Sequence, residues 1–309
     1  MSTRPRGWFL FFLCTLLSSS LSQAGVWQHE RGQVELEGTP QRIVALNWAA
    51  TEALLMLGVV PVGIADKSGY PVWVQEPELP DYVPNVGMRS APSLEAIAEL
   101  QPDLIVTSGQ LAPAWEQLRD IAPTYVISVY DQGAQPFARA RDMLLALGGI
   151  LDRQEQARQA LADLDQELAE NRARLEAAGL TGKPVALVNF MDARHVRVNA
   201  PNGQLQAALE GLGLDNAWTE PGNFWGFSMV GLEAFGDLAG IRLVAISPVA
   251  PGLAAQLEQS PFWRYLPVVS SGEIYQVEPV WAYGGVHSVK RMARLLTEAL
   301  LAGGQSNVR

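Results

Sequence analysis

Residues able to carry covalent or metal chemistry are few in this sequence and lie far apart. The three histidines, His29, His195 and His287, form neither an HExxH motif nor another ligand-pair spacing. The segment Gly226-Phe227-Ser228 lacks the second glycine of a nucleophile elbow, and the single cysteine, Cys14, lies in an apolar run near the start of the chain. The spacing therefore predicts neither a nucleophile nor a metal site.

Two glycine-containing segments match nucleotide-binding loops only in part. Residues 179–184 end in Pro184, where a phosphate loop requires Ser or Thr. Gly211-x-Gly213 has Asn216 in place of the third glycine of the dinucleotide fingerprint. We therefore expect no bound cofactor and no enzymatic activity, although an extracytoplasmic enzyme is kept as a remote alternative.

Aromatic side chains, in contrast, concentrate in segments predicted to be loops. Any one of them could equally fill a core or support a loop. Together, among glycines and prolines at the expected ends of strands, they indicate a broad apolar surface beside a cleft. The set comprises Trp48, Tyr70, Trp73, Tyr82, Phe224, Trp225, Trp281 and Tyr283.

Arg89 lies in the same kind of segment, within Val86-Gly87-Met88-Arg89-Ser90. A guanidinium group offers a rigid fork of donors to anionic oxygens, so Arg89 is a candidate ligand-binding residue. From spacing alone, a surface arginine paired with a nearby carboxylate is an equally good interpretation.

A long helix is predicted at residues 151–178, a segment without proline or glycine. Gly148 and Gly149 precede it and Gly179 follows it, and at ~1.5 Å per residue it would be roughly 40 Å long. Its apolar residues recur at helical spacings, at Leu151, Ala157, Leu161, Leu164, Leu168 and Leu175. An ordinary surface helix is the alternative, but strand and helix signals begin again beyond it. We therefore expect this helix to join two lobes.

Both flanking regions alternate predicted strands and helices. Before the long helix, strands at 42–46, 59–65, 104–106 and 125–129 alternate with helices at 51–58, 93–100, 115–121 and 137–147, with a turn at 47–50 and irregular structure at 70–84. After it, strands at 185–190, 241–246 and 274–277 alternate with helices at 203–212, 231–238 and 286–301. The predicted fold is α/β, with two similar lobes (25–150 and 179–309) that contain parallel-type sheets and are joined by one rigid helix.

One motif occurs in both predicted lobes. Residues 93–100, Ser-Leu-Glu-Ala-Ile-Ala-Glu-Leu, and residues 231–238, Gly-Leu-Glu-Ala-Phe-Gly-Asp-Leu, each precede a buried strand. Chance similarity of two amphipathic helices is the alternative. Because the following strand matches as well, we interpret the lobes as copies of one architecture with a ligand cleft between them.

The amino terminus predicts export. Arg4 and Arg6 precede an apolar run, and Ser22-Gln23-Ala24 is a small-residue cleavage site, so residues 1–24 are predicted to be a signal peptide. The chain has 22 basic and 32 acidic residues, and without Arg4 and Arg6 the net charge is about −12. Such an acidic protein is not expected to bind nucleic acid or an anionic membrane through its overall field.

A set of short segments distributed along the chain resembles a known family. They include Val86-Gly87-Met88-Arg89, Asp192-x-Arg194-His195, Asn216-Ala217-Trp218, Asn223-Phe224-Trp225-Gly226 and Val280-Trp281-x-Tyr283-Gly284, with further matches at 42–48, 57–66, 73–77 and 81–85. The sequence is similar to the periplasmic ferric hydroxamate-binding proteins, which belong to the helix-linked class of ABC-importer substrate-binding proteins. The resemblance covers nearly the whole chain after residue 41.

This resemblance implies a shallow aromatic cleft that binds a ferric siderophore. Arg89 is expected to bond the iron-bound hydroxamate oxygens, and aromatic side chains are expected to pack on the siderophore. Because the iron would arrive already coordinated, the protein needs no metal ligands of its own. The packing residues carried over are Trp48, Trp73, Trp225, Trp281 and Tyr283.

The sequence departs from the family at one position. Leu111 stands where the family has a ligand-contacting Tyr, and Thr107 replaces a nearby Trp. The resemblance then leaves open a different hydroxamate or a mixed citrate-hydroxamate chelate, with Gln110 as a replacement donor. A receptor for haem, cobalamin or another metal chelate is the alternative within binding proteins.

The resemblance also implies partners and a location. In this class one exposed Glu of each lobe contacts the permease, and the duplicated motif places Glu95 and Glu233 in matching positions. A favourable helix-dipole position explains the same residues without docking. We expect a monomeric periplasmic protein that delivers its ligand to an inner-membrane permease, with small lobe movements because a helix linker resists closure.

Overall fold

The computed structural model describes residues 25–131, 135–305 and 307–308. The predicted signal peptide at 1–24, with Cys14, lies outside the described residues. None of the helices in the described part of the chain has the length and apolar character needed to cross a membrane.

Strands and helices occur in both halves of the chain. The strands are β1 (Gly25–His29), β2 (Gly32–Leu36), β3 (Ile43–Ala45), β4 (Gly63–Ile64), β5 (Gly87–Met88), β6 (Ala91–Pro92), β7 (Leu104–Thr107), β8 (Thr124–Val126), β9 (Val185–Phe190), β10 (His195–Asn199), β11 (Phe227–Gly231), β12 (Arg242–Ile246) and β13 (Ile274–Val277). The α-helices are α1 (Trp48–Met56), α2 (Tyr70–Trp73), α3 (Leu94–Glu99), α4 (Trp115–Arg119), α5 (Pro136–Ile150), α6 (Gln154–Ala177), α7 (Gln206–Gly211), α8 (Leu253–Gln259), α9 (Pro261–Tyr265), α10 (Pro267–Ser270) and α11 (Val286–Ala302). Two 3₁₀ helices lie at Gly109–Ala114 and Leu232–Phe235.

Two central sheets organise the molecule. The first has the order β4-β3-β7-β8 and is parallel throughout. The second has the order β11-β10-β9-β12-β13. Strands β9, β12 and β13 are parallel to one another, and β10 is antiparallel to both of its neighbours, β9 and β11. The predicted α/β fold class is confirmed, but the prediction of parallel-type sheets does not hold for the β10-β11 side of the second sheet. The short β9-β10 connection and the longer β10-β11 connection, which contains α7, each return the chain to the neighbouring position in the opposite direction.

Apolar side chains cover both faces of each sheet. On the first sheet, Ile43 and Leu104 face a cluster that includes α1, α5 and α6, while Val44 and Ile105 face α3 and α4. Such burial on both faces explains why these strands are almost continuously apolar. The second sheet is covered in the same way by α7 and α11 on one face and by α8 and α9 on the other.

Helix α6 contacts the cores of both sheets. Ala157, Leu161 and Leu164 belong to the core of the first sheet, Leu175 belongs to that of the second, and Leu168 packs against both. The helix has 24 residues, so it is roughly 36 Å long. The apolar stripe in the sequence therefore corresponds to one surface that packs on both halves.

The start of the long helix differs from the prediction. Gly148 and Gly149 lie inside α5 rather than before α6, and α6 begins at Gln154. A Cβ on Gly148 would lie 2.7 Å from the Cβ of Ala157, and one on Gly149 would lie 2.9 Å from the Trp27 ring. These glycines permit close helix packing instead of ending a helix. The chain turns at Asp152, whose φ is 53°.

Two further predictions are wrong in detail, and one element was not predicted. Residues 48–50 form the first turn of α1 rather than a loop, because the Asn47 side chain accepts a hydrogen bond from the Ala50 amide (2.8 Å) and caps the helix. Residues 70–84 contain the short helix α2, and the Tyr70 side chain is buried. The hairpin β1-β2 was not predicted.

The repeated motif has related but unequal structures. Ser93 caps α3 through the Ala96 amide, whereas the second copy, which starts with Gly231, forms only the 3₁₀ turn Leu232–Phe235. A Cβ on Gly231 would lie 2.1 Å from the Glu233 carboxylate. Both copies precede the equivalent inner strands, β7 and β12, of their sheets.

Candidate ligand-binding site

A cleft of about 380 Å³ lies between the two sheets. On the first sheet its residues follow the carboxyl ends of the parallel strands β3, β7 and β8, which is where open α/β sheets bind ligands. On the second sheet they come from β10, β11 and the segment between β13 and α11. The lining residues are Asn47, Trp48, Ala49, Arg89, Ser108, Gln110, Ile127, Ser128, Val129, Tyr130, Arg197, Trp225, Phe227, Trp281 and Tyr283.

Arg89 is positioned by the hairpin β5-β6. It occupies the two-residue turn between these strands, and its Nε donates to Oδ2 of Asp66 at 3.1 Å. Its guanidinium carbon lies 3.8 Å from the centre of the Trp48 ring and 4.9 Å from that of Trp281. Stacking and one carboxylate hold the side chain, while in the described residues the two terminal nitrogens have no protein partner. Those donors are available to a ligand.

Trp48 supports Arg89 from beneath. It was predicted to lie in a loop. Instead it is the first residue of α1, directly after the Asn47 cap, and it is only 2% exposed. Its Nε1 donates to the carbonyl oxygens of Ala65 and Asp66, each at 3.2 Å. The indole is therefore fixed, and the small part of it that is not covered lines the cleft.

The polar side of the cleft is built from the loops after β7 and β8. Ser128 accepts a hydrogen bond from the Gly109 amide at 2.9 Å and donates its hydroxyl to Glu30 at 2.7 Å. The Glu30 carboxylate also accepts from the Ser128 amide at 2.6 Å. The unpredicted hairpin β1-β2 thus fixes the loop that carries Ser108 and Gln110.

Gln110 and its neighbour Leu111 face different surroundings. Gln110 is exposed and lines the cleft. Leu111 is 6% exposed and packs in the core cluster with α3 and α4. In this chain the residue at the position of the family Tyr therefore fills the core, and the polar amide faces the cleft.

The remaining wall is aromatic. The Trp281 ring lies 4.8 Å from Trp48 and 4.9 Å from Tyr283, and the Trp225 ring lies 5.7 Å from both Tyr283 and Tyr130. These edge and tilted contacts make one continuous surface. Burial raises the pKa of the Tyr283 phenol, so it stays neutral at physiological pH.

Trp73 does not line the cleft. Its ring lies 6.2 Å from Trp281 on the outer side of the aromatic group, and the side chain is 38% exposed. Helix α2 ends at Trp73 and directs it to the rim. Of the other loop aromatics, Tyr70 is buried, Tyr82 is largely exposed and Phe224 packs edge-on against Trp225.

Sequence reasoning missed Arg197 and Phe227. They lie on the adjacent antiparallel strands β10 and β11, and the Arg197 guanidinium carbon is 4.3 Å from the centre of the Phe227 ring. Arg197 donates through Nη1 to the Tyr283 hydroxyl at 3.2 Å. The alternation of apolar residues at 196 and 198 could have predicted this strand. It would also have predicted that Arg197 lies on the face opposite to those apolar residues.

Behind the cleft, polar contacts join the two halves in what we call the interlobe seam (Glu52, Glu76, Tyr130, Ser288 and Arg291). The Glu52 carboxylate on α1 accepts from the amide and hydroxyl of Ser288 and from the Gly285 amide, at the start of α11. Burial raises the pKa of Glu52 to about 8, against the lowering effect of these donors.

Further contacts extend the seam. The Tyr130 hydroxyl donates to the carbonyl of Ala282 at 3.0 Å and accepts from the Gln204 amide at 2.9 Å. Arg291, 2% exposed, contacts the carboxylates of Glu76 and Glu278. Burial acts to raise the pKa of Glu76, but the nearby arginines outweigh it and hold the pKa below its usual value.

Outside the cleft, ionisable side chains form local ion pairs, such as those of Lys183 and Arg242 with Glu273. Within the described ranges, no group of three or more His, Cys, Asp or Glu side chains could hold a metal ion. His29 contacts Trp115 and Tyr125, His195 contacts Asp192, and His287 lies near Glu76.

The two glutamates of the repeated motif are both exposed. Glu95 lies in the first turn of α3, and Glu233 lies in the 3₁₀ turn before β12. They occupy equivalent places relative to the two sheets because α3 precedes β7 and the 3₁₀ turn precedes β12. Glu233 also borders a shallow surface depression with Arg194 and Phe262.

Comparison with known proteins gives consistent matches. A sequence profile described as periplasmic binding protein matches residues 43–280. The chain is 35% identical to the iron(3+)-hydroxamate-binding protein FhuD of Escherichia coli, over 86% of this chain and 88% of that protein. It is 28% identical to the Fe(3+) dicitrate-binding periplasmic protein FecB of Escherichia coli, over 91% and 92%. The crystal structure of FhuD from Vibrio cholerae bound to Fe³⁺-Desferal superposes with a TM-score of 0.81, at 32% identity, over 85% of this chain and 99% of that one.

Proposed function

The chain belongs to the periplasmic binding protein family, and on that premise we propose that it is the substrate-binding component of an ABC importer for a ferric siderophore. The observation that carries the proposal is Arg89, which lines the cleft between Trp48 and Trp281 and whose terminal nitrogens have no partner in the described part of the chain. Of the relatives, one is named for iron(3+)-hydroxamate and one structure contains Fe³⁺-Desferal. A hydroxamate-type chelate is therefore the proposed ligand.

Binding would proceed without a chemical step on the ligand. The ferric ion is cargo and arrives fully coordinated, so the protein contacts only the outer surface of the chelate. Arg89 donates to the iron-bound oxygens, which carry partial negative charge, and its stacked position means that little side-chain freedom is lost on binding. The aromatic wall of Trp225, Trp281 and Tyr283 covers the organic backbone of the siderophore.

Gln110 is proposed to supply a polar contact near Arg89. It lines the cleft from the loop that Ser128 and Glu30 hold in place. With Leu111 in the core, the polar side chains that this loop offers to the ligand are those of Ser108 and Gln110. A carboxamide both donates and accepts, so it suits a mixed set of ligand oxygens and amides.

The ligand class can be tested by tryptophan fluorescence. Trp48, Trp225 and Trp281 line the cleft, so a bound ferric chelate should quench their emission. We expect saturable quenching by ferric hydroxamates, weaker or no quenching by ferric catecholates, and none by the iron-free hydroxamates at the same concentration. Saturable binding of haem or cobalamin, with no response to any ferric siderophore, would contradict the proposal.

We further propose that the mature protein is a periplasmic monomer that meets its permease through Glu95 and Glu233. The support is the exposure of both carboxylates and their equivalent placement before β7 and β12. Neither residue lines the cleft.

Charge reversal separates docking from binding. Glu95→Lys combined with Glu233→Lys should leave chelate affinity within about twofold, since exposed substitutions change free energies by roughly 0.5 kcal/mol or less, and should abolish siderophore-dependent uptake. The matched control is Glu155→Lys with Glu170→Lys on the exposed face of α6. Unchanged uptake by the docking pair would remove this role.

A further inference from the structure

We propose that Arg197 selects ligands by charge, and that this cleft is built for a ferric chelate with a net negative charge. The inference rests on the proposed function, since it assumes that the cleft binds a ferric siderophore. Arg197 comes from the second sheet, whereas Arg89 comes from the first half of the chain.

Arg197 is held by neutral groups. It lies at the middle of β10, paired with Met229 of β11 and Asn189 of β9. Its Nη1 donates to the Tyr283 hydroxyl, its guanidinium faces the Phe227 ring, and its Nε is buried without a hydrogen-bond partner in the described structure. A guanidinium cannot lose its proton in a protein, so the positive charge remains.

Other partly or fully buried arginines of the chain are compensated by carboxylates. Arg89 pairs with Asp66, Arg139 with Glu30, and Arg291 with Glu76. Arg197, in contrast, forms no ion pair with any carboxylate of the described residues. Carboxylates are abundant in a chain with 32 acidic and 22 basic residues, yet Arg197 forms an ion pair with none of those that the structure describes.

The cleft as a whole carries the same imbalance. Its charged lining residues are Arg89 and Arg197, and no carboxylate is among the described residues that line it. Because Asp66 offsets one of the two positive charges, the site retains an excess of one. An uncompensated cation in a partly desolvated, aromatic cleft favours an anionic partner more strongly than it would in water.

The charge of a ferric chelate depends on its donor groups. Three hydroxamates neutralise Fe³⁺, so a trihydroxamate complex has no net charge apart from its substituents. Replacing hydroxamate donors by carboxylate and alkoxide donors, or adding a free carboxylate, makes the complex anionic. Such a ligand would place one set of oxygens at Arg89 and a carboxylate at the fork of Arg197.

A series of ligands that share one hydroxamate core can test this idea. Ferric desferrioxamine B carries one positive charge on its free amine, the N-acetylated complex is neutral, and the N-succinylated complex carries one negative charge. We expect the wild-type protein to bind the succinylated complex most tightly and the free-amine complex least tightly. Affinities are measured by tryptophan quenching at low salt.

Arg197→Gln should remove this order. We expect its affinity for the succinylated complex to fall by about ten- to hundredfold, the scale of a charge-assisted hydrogen bond, with little change for the neutral complex. Arg197→Lys, which keeps the charge, should retain the preference for the anion. Arg158→Gln on the exposed face of α6 makes the same change in net charge and should shift all three affinities by less than about twofold.

The outcomes separate this inference from the proposed function. Equal losses for all three complexes in Arg197→Gln would mean that Arg197 only positions Tyr283, and no loss would remove its role; either result overturns the inference while chelate binding stands. If no complex quenches the wild-type protein, the proposed function itself fails. If Arg197→Gln does not fold, the salt dependence of the wild-type protein is the test. Added salt should reduce its preference for the succinylated complex, because salt screens charge interactions. An order of the three affinities that salt does not change would overturn the inference.

Discussion

The cleft and the interlobe seam lie on the same boundary between two sheets and use the same residue types in opposite ways. In the seam, Arg291 contacts Glu76 and Glu278, and Glu52 accepts hydrogen bonds from Ser288 and Gly285. In the cleft, the two terminal nitrogens of Arg89 have no partner, and Arg197 no carboxylate, among the residues that the structure describes. Polar groups satisfied within the protein stabilise the arrangement of the lobes, while those left unsatisfied are available to a ligand.

The buried seam also limits how far the two lobes can move. Helix α6 packs on both cores, and α11 of the second half contacts α1, α5 and α6. Opening or closing the cleft widely would break the buried Glu52 and Arg291 contacts together. We therefore expect binding at a preformed surface, with small lobe movements.

The largest expected effect lies in the seam. Arg291→Ala removes a buried side chain that donates hydrogen bonds to Gln75, Glu76, Glu278 and the Pro279 carbonyl. Because these bonds are lost and a cavity is left in their place, the free energy of unfolding should fall by roughly 3 to 5 kcal/mol. Denaturant unfolding measures this loss. Arg158→Gln is the surface control, and a loss below about 1 kcal/mol would mean that the seam contributes little to stability.

The next effect concerns pH. Glu52 has a native pKa raised from 4.5 to about 8 by burial, so its contribution to stability is fully present below the unfolded pKa and is lost as the pH rises through about 8. Between pH 5 and 8, wild-type stability should fall on the order of 2 to 4 kcal/mol further than that of Glu52→Gln, whose side chain does not titrate. If the free energies of unfolding of the two proteins changed with pH in parallel, ionisation of Glu52 would have no effect on stability, which would contradict this prediction.

In the cleft the effect should fall on affinity instead. Arg89→Ala removes a charged hydrogen-bond donor and should weaken the binding of a ferric hydroxamate by roughly 1.5 to 3 kcal/mol. Its unfolding free energy should change little, because the side chain is partly exposed and has one carboxylate partner. A loss of stability without a loss of affinity would mean that Arg89 stabilises the fold, as the seam residues do, and does not bind the ligand.

The smallest expected effect is at the rim. Trp73→Ala should weaken chelate binding by less than about 1 kcal/mol, because Trp73 lies outside the cleft and only supports Trp281. Trp225→Ala, within the lining, is the matched comparison and should cost more. Equal losses for the two variants would mean that the ligand extends over the rim.

The sequence predicted the parts of the fold that local patterns encode. The apolar spacing at residues 157, 161, 164 and 175 corresponds to α6, and Ser93 caps α3 as expected. Glycines were a poorer guide, since Gly148 and Gly149 allow helix packing rather than ending a helix. A glycine in the sequence does not distinguish a stop from a close contact.

The site was predictable where aromatic residues lie in loops and less so where strands supply the residues. Trp225, Trp281 and Tyr283 lie in loops and line the cleft, whereas Trp48 starts a helix that its Asn47 cap could have indicated. Arg197 was missed because β10 is antiparallel and only five residues long. The seam pairs that involve Glu52 and Glu76 join residues more than 200 positions apart, such as Glu52 and Ser288, and no local pattern reveals them.

The most direct test of the account is a crystal structure of the protein with a ferric hydroxamate. It should show the chelate in the cleft, with its iron-bound oxygens at the terminal nitrogens of Arg89 and its backbone on Trp225, Trp281 and Tyr283. The contacts of Glu52 and Arg291 should remain in place. A chelate bound elsewhere, or a seam broken by lobe closure around the ligand, would contradict it.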